Sequence, residues 1–219
     1  MPRTQPDGHL VPSATGTGDG VLVLHAWWGL NDTMKAFCTR LADSGFTVFA
    51  PDLYHGQIAG TIGDAEALAN ALDADADKAR ADISDATDFL AEQARQTDRG
   101  IAVIGFSLGA AYALDLSISD PERIRSVVLF YGTGADGDLT RSKAAYLGHF
   151  AETDEFEPLS GVDALETALK GAGRPVTFHR YSGVGHWFFE PDRPQAFNAE
   201  AARLAWDRTV EFLKRPPTS

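Results

Sequence analysis

Residues 101–111 read IAVIGFSLGAA and carry the strongest structural signal in the chain. The short apolar run predicts a buried strand over 101–105, and the small residues that follow predict a tightly packed helix over 108–116. Between them, residues 105–109 form a G-x-S-x-G sequence. In a strand–turn–helix context this sequence indicates a nucleophile elbow, in which a strained turn lifts a serine hydroxyl above the sheet edge. Ser107 is therefore the candidate nucleophile.

Apolar runs and amphipathic stretches alternate on both sides of this motif. The apolar runs predict further strands at 20–25, 46–50, 126–131, 144–149 and 176–181. Helices are predicted where Met34, Phe37, Cys38 and Leu41 share one face, and over 64–96, 162–170 and 195–213. Continuous apolar strands separated by helices predict an α/β fold with a mostly parallel central sheet flanked by helices on both faces. The length fits a single domain over 1–219.

The composition excludes several classes of function. With 31 acidic and 19 basic residues, the formal net charge is −12, which argues against binding to nucleic acid or to anionic lipid. A lone cysteine, Cys38, excludes an internal disulfide or a multi-thiolate metal site, and we expect it to be buried and inert. We find no metal or cofactor motif, no apolar run long enough to span a membrane and no targeting signal, so we expect a cofactor-free cytoplasmic protein.

A serine nucleophile needs a base, and His186 is the best-placed histidine. It lies in the stretch 183–188 (GVGHWF), directly after the last predicted strand. Open α/β sheets build their sites at this edge, where the carboxyl ends of the strands meet. His149 and His179 lie within predicted strands, for which packing is the simpler interpretation.

The base in turn needs a carboxylate that fixes its tautomer. Glu152, Asp154 and Glu155 all follow the predicted strand at 144–149. Any of them gives the chain order serine, acid, histidine that is typical of α/β-hydrolases. Spacing alone leaves these three acids as equal candidates.

Several short stretches together resemble one known family. They are GVLVLHAWWGLN at 20–31, FTVFAPDLY at 46–54, IGFSLG at 104–109, GHFAETDEFEP at 148–158 and GVGHWF at 183–188. On these stretches the chain resembles the dienelactone hydrolase family of the α/β-hydrolase fold, over nearly its whole length. The resemblance implies a small-molecule ester or lactone as substrate. The family's D-x-F-x-P segment implies Asp154 as the acid.

The oxyanion hole and the pocket complete the predicted site. In α/β-hydrolases one oxyanion donor is the amide after the nucleophile, here that of Leu108. The resemblance implies the amide of Trp27 as the second donor. We expect a small pocket lined by Trp28, Tyr54, Phe106, Trp187 and, beside them, Glu190.

Three positions depart from the best-known members of that family. Ser107 stands in place of a cysteine, and Ala26 stands in place of a glutamate that interacts with the resting thiol. Glu190 stands where an arginine binds the substrate carboxylate. An acid at that position disfavours an anionic substrate, so we expect neutral esters to be preferred over anionic lactones.

The predicted activity is hydrolysis of an ester or lactone through an acyl-serine intermediate. One alternative is a catalytically weak ligand-binding protein that has kept the fold. A second is a flavodoxin-like binding domain, which would leave the elbow and the His186 loop unexplained. We expect a monomer or a homodimer.

Overall fold

The computed structural model describes residues 3–16, 18–94, 100–134 and 137–215. Its strands are β1 (Gly8–Val11), β2 (Gly20–Leu24), β3 (Thr47–Pro51), β4 (Ile101–Phe106), β5 (Ile124–Phe130), β6 (Ala145–Ala151) and β7 (Val176–Tyr181). Its α-helices are α1 (Asp32–Asp43), α2 (Ile62–Ala74), α3 (Ala76–Gln93), α4 (Leu108–Ser119), α5 (Leu159–Gly171) and α6 (Ala199–Lys214).

The seven strands form one sheet in the order β1-β3-β2-β4-β5-β6-β7. Strand β1 is antiparallel to β3, and every other neighbouring pair is parallel. The predicted α/β-hydrolase fold with a mostly parallel sheet is therefore confirmed. The chain runs from β2 outward to β3 and later returns to β4 on the other side of β2. The carboxyl ends of β2 and β4 thus flank a point where the strand order reverses, which is where open α/β sheets bind ligands.

Helices cover both faces of the sheet and enclose two apolar cores. Helices α1 and α6 pack on one face, and α3, α4 and α5 pack on the other. Asn31 caps the start of helix α1, where its side chain accepts a 3.0 Å hydrogen bond from the amide of Met34. This cap satisfies one of the free amides at the helix start. Cys38 lies in the first core as expected, and burial raises the pKa of its thiol to about 12.

The structure differs from the sequence-based expectation in two elements. Strand β1 was not predicted, because it is only four residues long and half-buried along its length. The helical region predicted over 64–96 is two helices that meet at Asp75. The backbone φ of −128° at Asp75 lies outside the helical region, so the first helix ends there. The last two positions of the predicted region, 95–96, lie outside the described residues. Among the helices of the described residues, none is long and apolar enough to cross a bilayer.

Candidate active site

The turn between β4 and α4 holds Ser107 in a strained conformation. Its φ of 48° and ψ of −112° lie outside the regions that side chains other than glycine normally adopt. The flanking glycines allow close backbone approach: a Cβ on Gly105 would lie 2.3 Å from the carbonyl oxygen of Gly109, and one on Gly109 would lie 2.4 Å from that of Leu24. The amide of Ser107 donates to the carbonyl of Phe130 at 2.8 Å, which anchors the turn to β5. The local geometry is that of a nucleophile elbow.

Ser107, His186 and Asp154 form one chain of hydrogen bonds. The Oγ of Ser107 lies 3.0 Å from Nε2 of His186, and Nδ1 of His186 lies 2.8 Å from Oδ2 of Asp154. Because a carboxylate can only accept, Nδ1 carries a proton and Nε2 is free to accept from the serine hydroxyl. The histidine and aspartate side chains are 5% and 2% exposed, so water competes little for either bond. This is the arrangement in which histidine can act as a general base.

The loop after β6 directs the Asp154 side chain toward His186 and leaves the neighbouring acids, Glu152 and Glu155, in solvent. The second carboxylate oxygen, Oδ1, accepts from the amides of Phe156 and Glu157 at 2.9 and 3.0 Å. These bonds fix the carboxylate plane, so Oδ2 faces the imidazole. Glu152 and Glu155, the other two candidates from the sequence, are both exposed. The three acids that spacing could not separate therefore differ sharply in their surroundings.

The comparisons with known proteins agree on one family. The sequence model of the dienelactone hydrolase family matches residues 7–216. The chain belongs to the dienelactone hydrolase family. It is 32% identical over 205 residues to the protein usf of Aquifex pyrophilus, covering 90% of this chain and 88% of that protein. It is also 32% identical over 216 residues to a carboxymethylenebutenolidase of a Pseudomonas species, covering 94% and 89%.

Solved structures of dienelactone hydrolase-like proteins share the fold. A dienelactone hydrolase-like promiscuous phosphotriesterase from metagenomic libraries superposes with a TM-score of 0.84 at 22% identity, over 94% of this chain and 90% of that one. A putative dienelactone hydrolase from Klebsiella pneumoniae gives 0.80 at 21% identity, over 93% and 90%. As a member of this family the chain is a hydrolase. At these identities the structural likeness itself extends to the fold alone.

The loop after β2 is held in place by His25. This histidine is fully buried, and its Nε2 lies 3.2 Å from the backbone amide of Leu53, which donates to it. The other ring nitrogen, Nδ1, must then carry the proton, and it donates to the carbonyl of Ala26 at 2.8 Å. Burial lowers the pKa of His25, which keeps the ring neutral. The carbonyl before Trp27 is thereby tied to the loop after β3.

An open cleft of about 700 Å³ lies beside the histidine of the candidate triad. Its walls include Phe156, Trp187 and Phe197, and among the described residues that line it Glu155 is the acidic one. The Phe156 ring is 46% exposed and packs 5.1 Å from the imidazole and 5.0 Å from the Trp187 ring. An exposed aromatic ring beside a catalytic group is typical of a substrate contact.

Three of the aromatic residues expected in the pocket lie elsewhere. Phe106 is completely buried and stacks on Phe130 with ring centroids 4.5 Å apart, because the residue before the elbow serine points into the α1 side of the sheet. Tyr54 lines a separate cleft of about 190 Å³ against α2 and α3. Trp28 is 3% exposed and packs against Trp187 at 5.2 Å. Only Trp187 of the four lines the cleft beside the histidine.

The expectation for Glu190 also needs correction. Its side chain is 0% exposed, and its Oε1 accepts a hydrogen bond from the hydroxyl of Tyr131 at 2.6 Å. Glu190 does not line the cleft, so it cannot repel a substrate there by direct contact. Burial raises the pKa of its carboxyl to about 8, which leaves the group mostly protonated at neutral pH. The backbone turns after His186, where the amide of Glu190 donates to the carbonyl of Trp187, and this turn points the Glu190 side chain into the interior.

Sequence reasoning missed two residues that border the candidate site. Phe156 belongs to the D-x-F-x-P segment, and its place two residues after Asp154 is the sequence signal that could have identified it. Tyr131 packs its ring 4.8 Å from that of His186, yet nothing in its strand-end position marked it. Among the described residues no group of histidine, cysteine or acidic side chains could hold a metal ion.

Proposed function

We propose that this hydrolase cleaves carboxylic esters or lactones through a Ser107–His186–Asp154 triad. The unbroken chain of hydrogen bonds from Oγ to Nε2 and from Nδ1 to Oδ2, at 3.0 and 2.8 Å, carries the proposal. Ser107 Oγ attacks the carbonyl carbon while its proton passes to Nε2 of His186. Asp154 stabilises the imidazolium that forms and holds the ring in the productive tautomer.

The attack forms a tetrahedral oxyanion, which then collapses to an acyl-enzyme. The carbonyl re-forms, the bond to the leaving oxygen breaks, and the imidazolium returns its proton to that oxygen. The acyl group is now an ester of Ser107. A water molecule then attacks this ester while its proton passes to the same imidazole. As the bond from the acyl carbon to Oγ breaks, the imidazolium returns the proton to Oγ, which restores the serine hydroxyl and releases the carboxylic acid.

The amides of Leu108 and Trp27 are proposed to bind the oxyanion. Leu108 is the first residue of α4, so its amide has no intrahelical acceptor and lies at the positive end of the helix. The close approach of Gly109 to the carbonyls of Leu24 and His25 brings this helix start against the loop that carries Trp27. Loss of one such donor typically costs about a hundredfold or more in rate.

The cleft supports a small, partly apolar substrate. Its aromatic walls suit an alkyl or aryl group, and the acidic lining residue Glu155 favours a neutral or cationic group over an anionic one. We therefore propose that a neutral ester fits this site better than an anionic lactone. Because Glu190 faces inward, this preference for a neutral substrate rests on the lining of the cleft and on the negative charge of the whole chain.

Residues 1–219 are proposed to form one catalytic domain that needs no cofactor. The family match over 7–216 and the single seven-stranded sheet support the domain assignment. The reaction needs only the triad, two amides and water. The cytoplasmic location and the monomeric or homodimeric state stay predictions from the sequence.

Stopped-flow hydrolysis of an activated phenyl ester tests this proposal. We expect a burst of phenol equal to one equivalent of enzyme, and an intact-mass increase equal to the acyl group. Tryptic mapping should place that acyl group on Ser107, and the Ser107→Ala variant should show neither burst nor mass increase. Tight binding of the ester without turnover would instead support the ligand-binding alternative.

A further inference from the structure

A buried polar pair lies directly behind the candidate catalytic histidine. Tyr131 and Glu190 are both 0% exposed, and the tyrosine hydroxyl donates to Oε1 of the glutamate at 2.6 Å. Each group would be costly to bury without the other, since an unsatisfied polar group in a core destabilises the fold. Their bond therefore fixes the relative position of the two chain segments that carry them.

Those two segments are the end of β5 and the turn that carries His186. Tyr131 follows β5 and has a positive φ of 39°, and its amide donates to the carbonyl of His149 on β6 at 2.9 Å. Glu190 closes the turn after His186, where its amide donates to the carbonyl of Trp187 at 2.9 Å. The hydroxyl–carboxyl bond thus ties the histidine turn to the rigid end of the sheet.

The same tyrosine also contacts the imidazole. Its ring centroid lies 4.8 Å from that of His186 at an interplanar angle of 57°, and the Phe156 ring lies 5.1 Å from the imidazole. The hydrogen bonds to Ser107 and Asp154 act in the plane of the imidazole, whereas ring contacts restrict its tilt. Tyr131 therefore limits a motion that the two triad bonds leave open.

The charge state of the pair suits this role. Burial raises the pKa values of both Glu190 and Tyr131, so at neutral pH the pair is largely uncharged. The charged groups facing it are Asp192 and Arg193 on the same segment and Asp154 on the loop after β6. With Glu190 protonated, Asp154 is the carboxylate that holds the imidazolium.

We propose that Tyr131 and Glu190 are positioning residues that hold the His186 imidazole at the angle at which it accepts the proton of Ser107. The inference rests on the proposed triad and extends it to two residues that touch no substrate. It also gives Glu190 a role that its inward orientation permits. A misplacement of about 1 Å in such a site can cost on the order of a hundredfold in rate.

A matched pair of tyrosine variants tests the inference. Tyr131→Phe removes only the hydroxyl that donates to Glu190 and keeps the ring that packs against His186. Tyr146→Phe removes a similarly buried hydroxyl, bonded to Ser117 and Ser142 in the other core. We expect Tyr131→Phe to lower kcat per titrated active site about tenfold with KM within about threefold, since orientation and not binding is lost. Tyr146→Phe should lower Tm but leave kcat unchanged.

Variants of the partner distinguish positioning from general destabilisation. Glu190→Gln keeps an acceptor for the tyrosine hydroxyl and should retain kcat within about threefold, whereas Glu190→Leu removes the acceptor and should match Tyr131→Phe. If Glu190→Leu fails to fold, the Tyr131→Phe result decides alone, because phenylalanine preserves the ring packing.

Several outcomes would overturn the inference. They are an unchanged kcat in Tyr131→Phe, a rise in KM at constant kcat, or an equal loss of kcat in Tyr146→Phe. A Ser107→Ala variant with full activity would remove the proposed triad itself, and the positioning role with it. Loss of activity in Ser107→Ala together with an unchanged Tyr131→Phe would remove the positioning role alone.

Discussion

Two buried histidines in this chain each bond to hydroxyl groups, and only one of them belongs to the candidate site. His186 lies between the Ser107 hydroxyl and the Asp154 carboxylate. His149, on β6, lies between the hydroxyls of Tyr181 and Thr209 at 2.8 and 3.0 Å. Both rings are therefore satisfied at both nitrogens. A histidine–hydroxyl pair by itself does not indicate a catalytic base.

The two sites differ in what surrounds the ring. His186 has a carboxylate to stabilise its cation and lines an open cleft, whereas His149 has no acid on its ring and is 0% exposed. Burial, with His179 and Arg208 nearby, lowers the pKa of His149 well below its usual range. His149 is therefore held neutral. Of the two histidines, His186 alone combines a carboxylate partner, a cleft and a serine on a strained turn, and the proposed triad depends on this combination.

The largest difference in kcat should appear when the hydroxyl that bonds to each histidine is removed. Ser107→Ala should lower kcat on a simple activated ester by about a thousandfold or more, because the attacking oxygen is lost. Thr209→Val, the equivalent change at His149, should stay within a few-fold. The assay is kcat on folded variants verified by circular dichroism.

The activity losses caused by substituting Ser107 and His186 should not be additive. Ser107→Ala and His186→Ala should each remove most of the activity, and the double variant should lose little more because the two act as a unit. Independent, multiplying losses would contradict a shared mechanism.

The next largest effect should come from the acid that His149 lacks. Asp154→Asn should lower kcat by about a hundredfold or more, because an amide favours the wrong imidazole tautomer. Glu152→Gln and Glu155→Gln should remain within a few-fold on a neutral ester. A sensitive Glu152 would move the acid by two residues and invalidate the match to the family's D-x-F-x-P segment.

Buried Glu190 and buried His149 should make the free energy of unfolding depend on pH in opposite directions. The Glu190 contribution is lost as pH rises, and the His149 contribution is lost as pH falls. The folded pKa of Glu190 is raised to about 8 from 4.5, so its favourable contribution is complete below 4.5 and is lost as pH rises through 8. We expect Glu190→Gln to remove about 3 kcal/mol of the decline in the free energy of unfolding between pH 6 and 9, measured by urea denaturation.

The acid limb provides the control for this measurement. Because the folded pKa of His149 is lowered, its contribution is complete above 6.5 and is lost as pH falls below that value. Below about pH 4.5, where the Glu190 contribution is complete, the slope of this limb should be the same in wild type and in Glu190→Gln. An alkaline decline that persists in Glu190→Gln would show that the carboxyl is not the group responsible.

The smallest expected effect is the dependence of kcat/KM on substrate charge, which the cleft beside His186 should produce. A cationic choline ester should be hydrolysed with kcat/KM a few-fold above its neutral isostere, and an anionic ester should fall below both. Glu155→Gln should reduce this spread, and added salt should reduce it further. A wild-type preference for the anionic ester would show that a cation faces the cleft.

The parts of the site that local sequence encodes could be predicted. The elbow has a fixed residue pattern, and His186 follows the last strand in the chain order expected of the fold. Asp154 could be chosen only by resemblance, because its distinction from Glu152 and Glu155 is the pair of amide bonds and the burial that the folded loop provides.

The residues that could not be predicted are those whose side-chain direction depends on a turn. Phe106 and Glu190 are close in sequence to Ser107 and His186, but their side chains point into the interior. Tyr131 reaches His186 across 55 positions of sequence. Strand β1 is short and half-buried, so its pairing with β3 decides its structure more than its own composition does.

Covalent labelling with a fluorophosphonate tests the central claim most directly. The reagent modifies hydroxyls that a neighbouring base activates, so it separates a catalytic pair from a structural one. We expect a single adduct, mapped by mass spectrometry to Ser107, and strongly slowed labelling in His186→Ala but not in Thr209→Val. The absence of any adduct on the folded protein, or an adduct on Thr209 with Ser107 unmodified, would contradict the proposed triad.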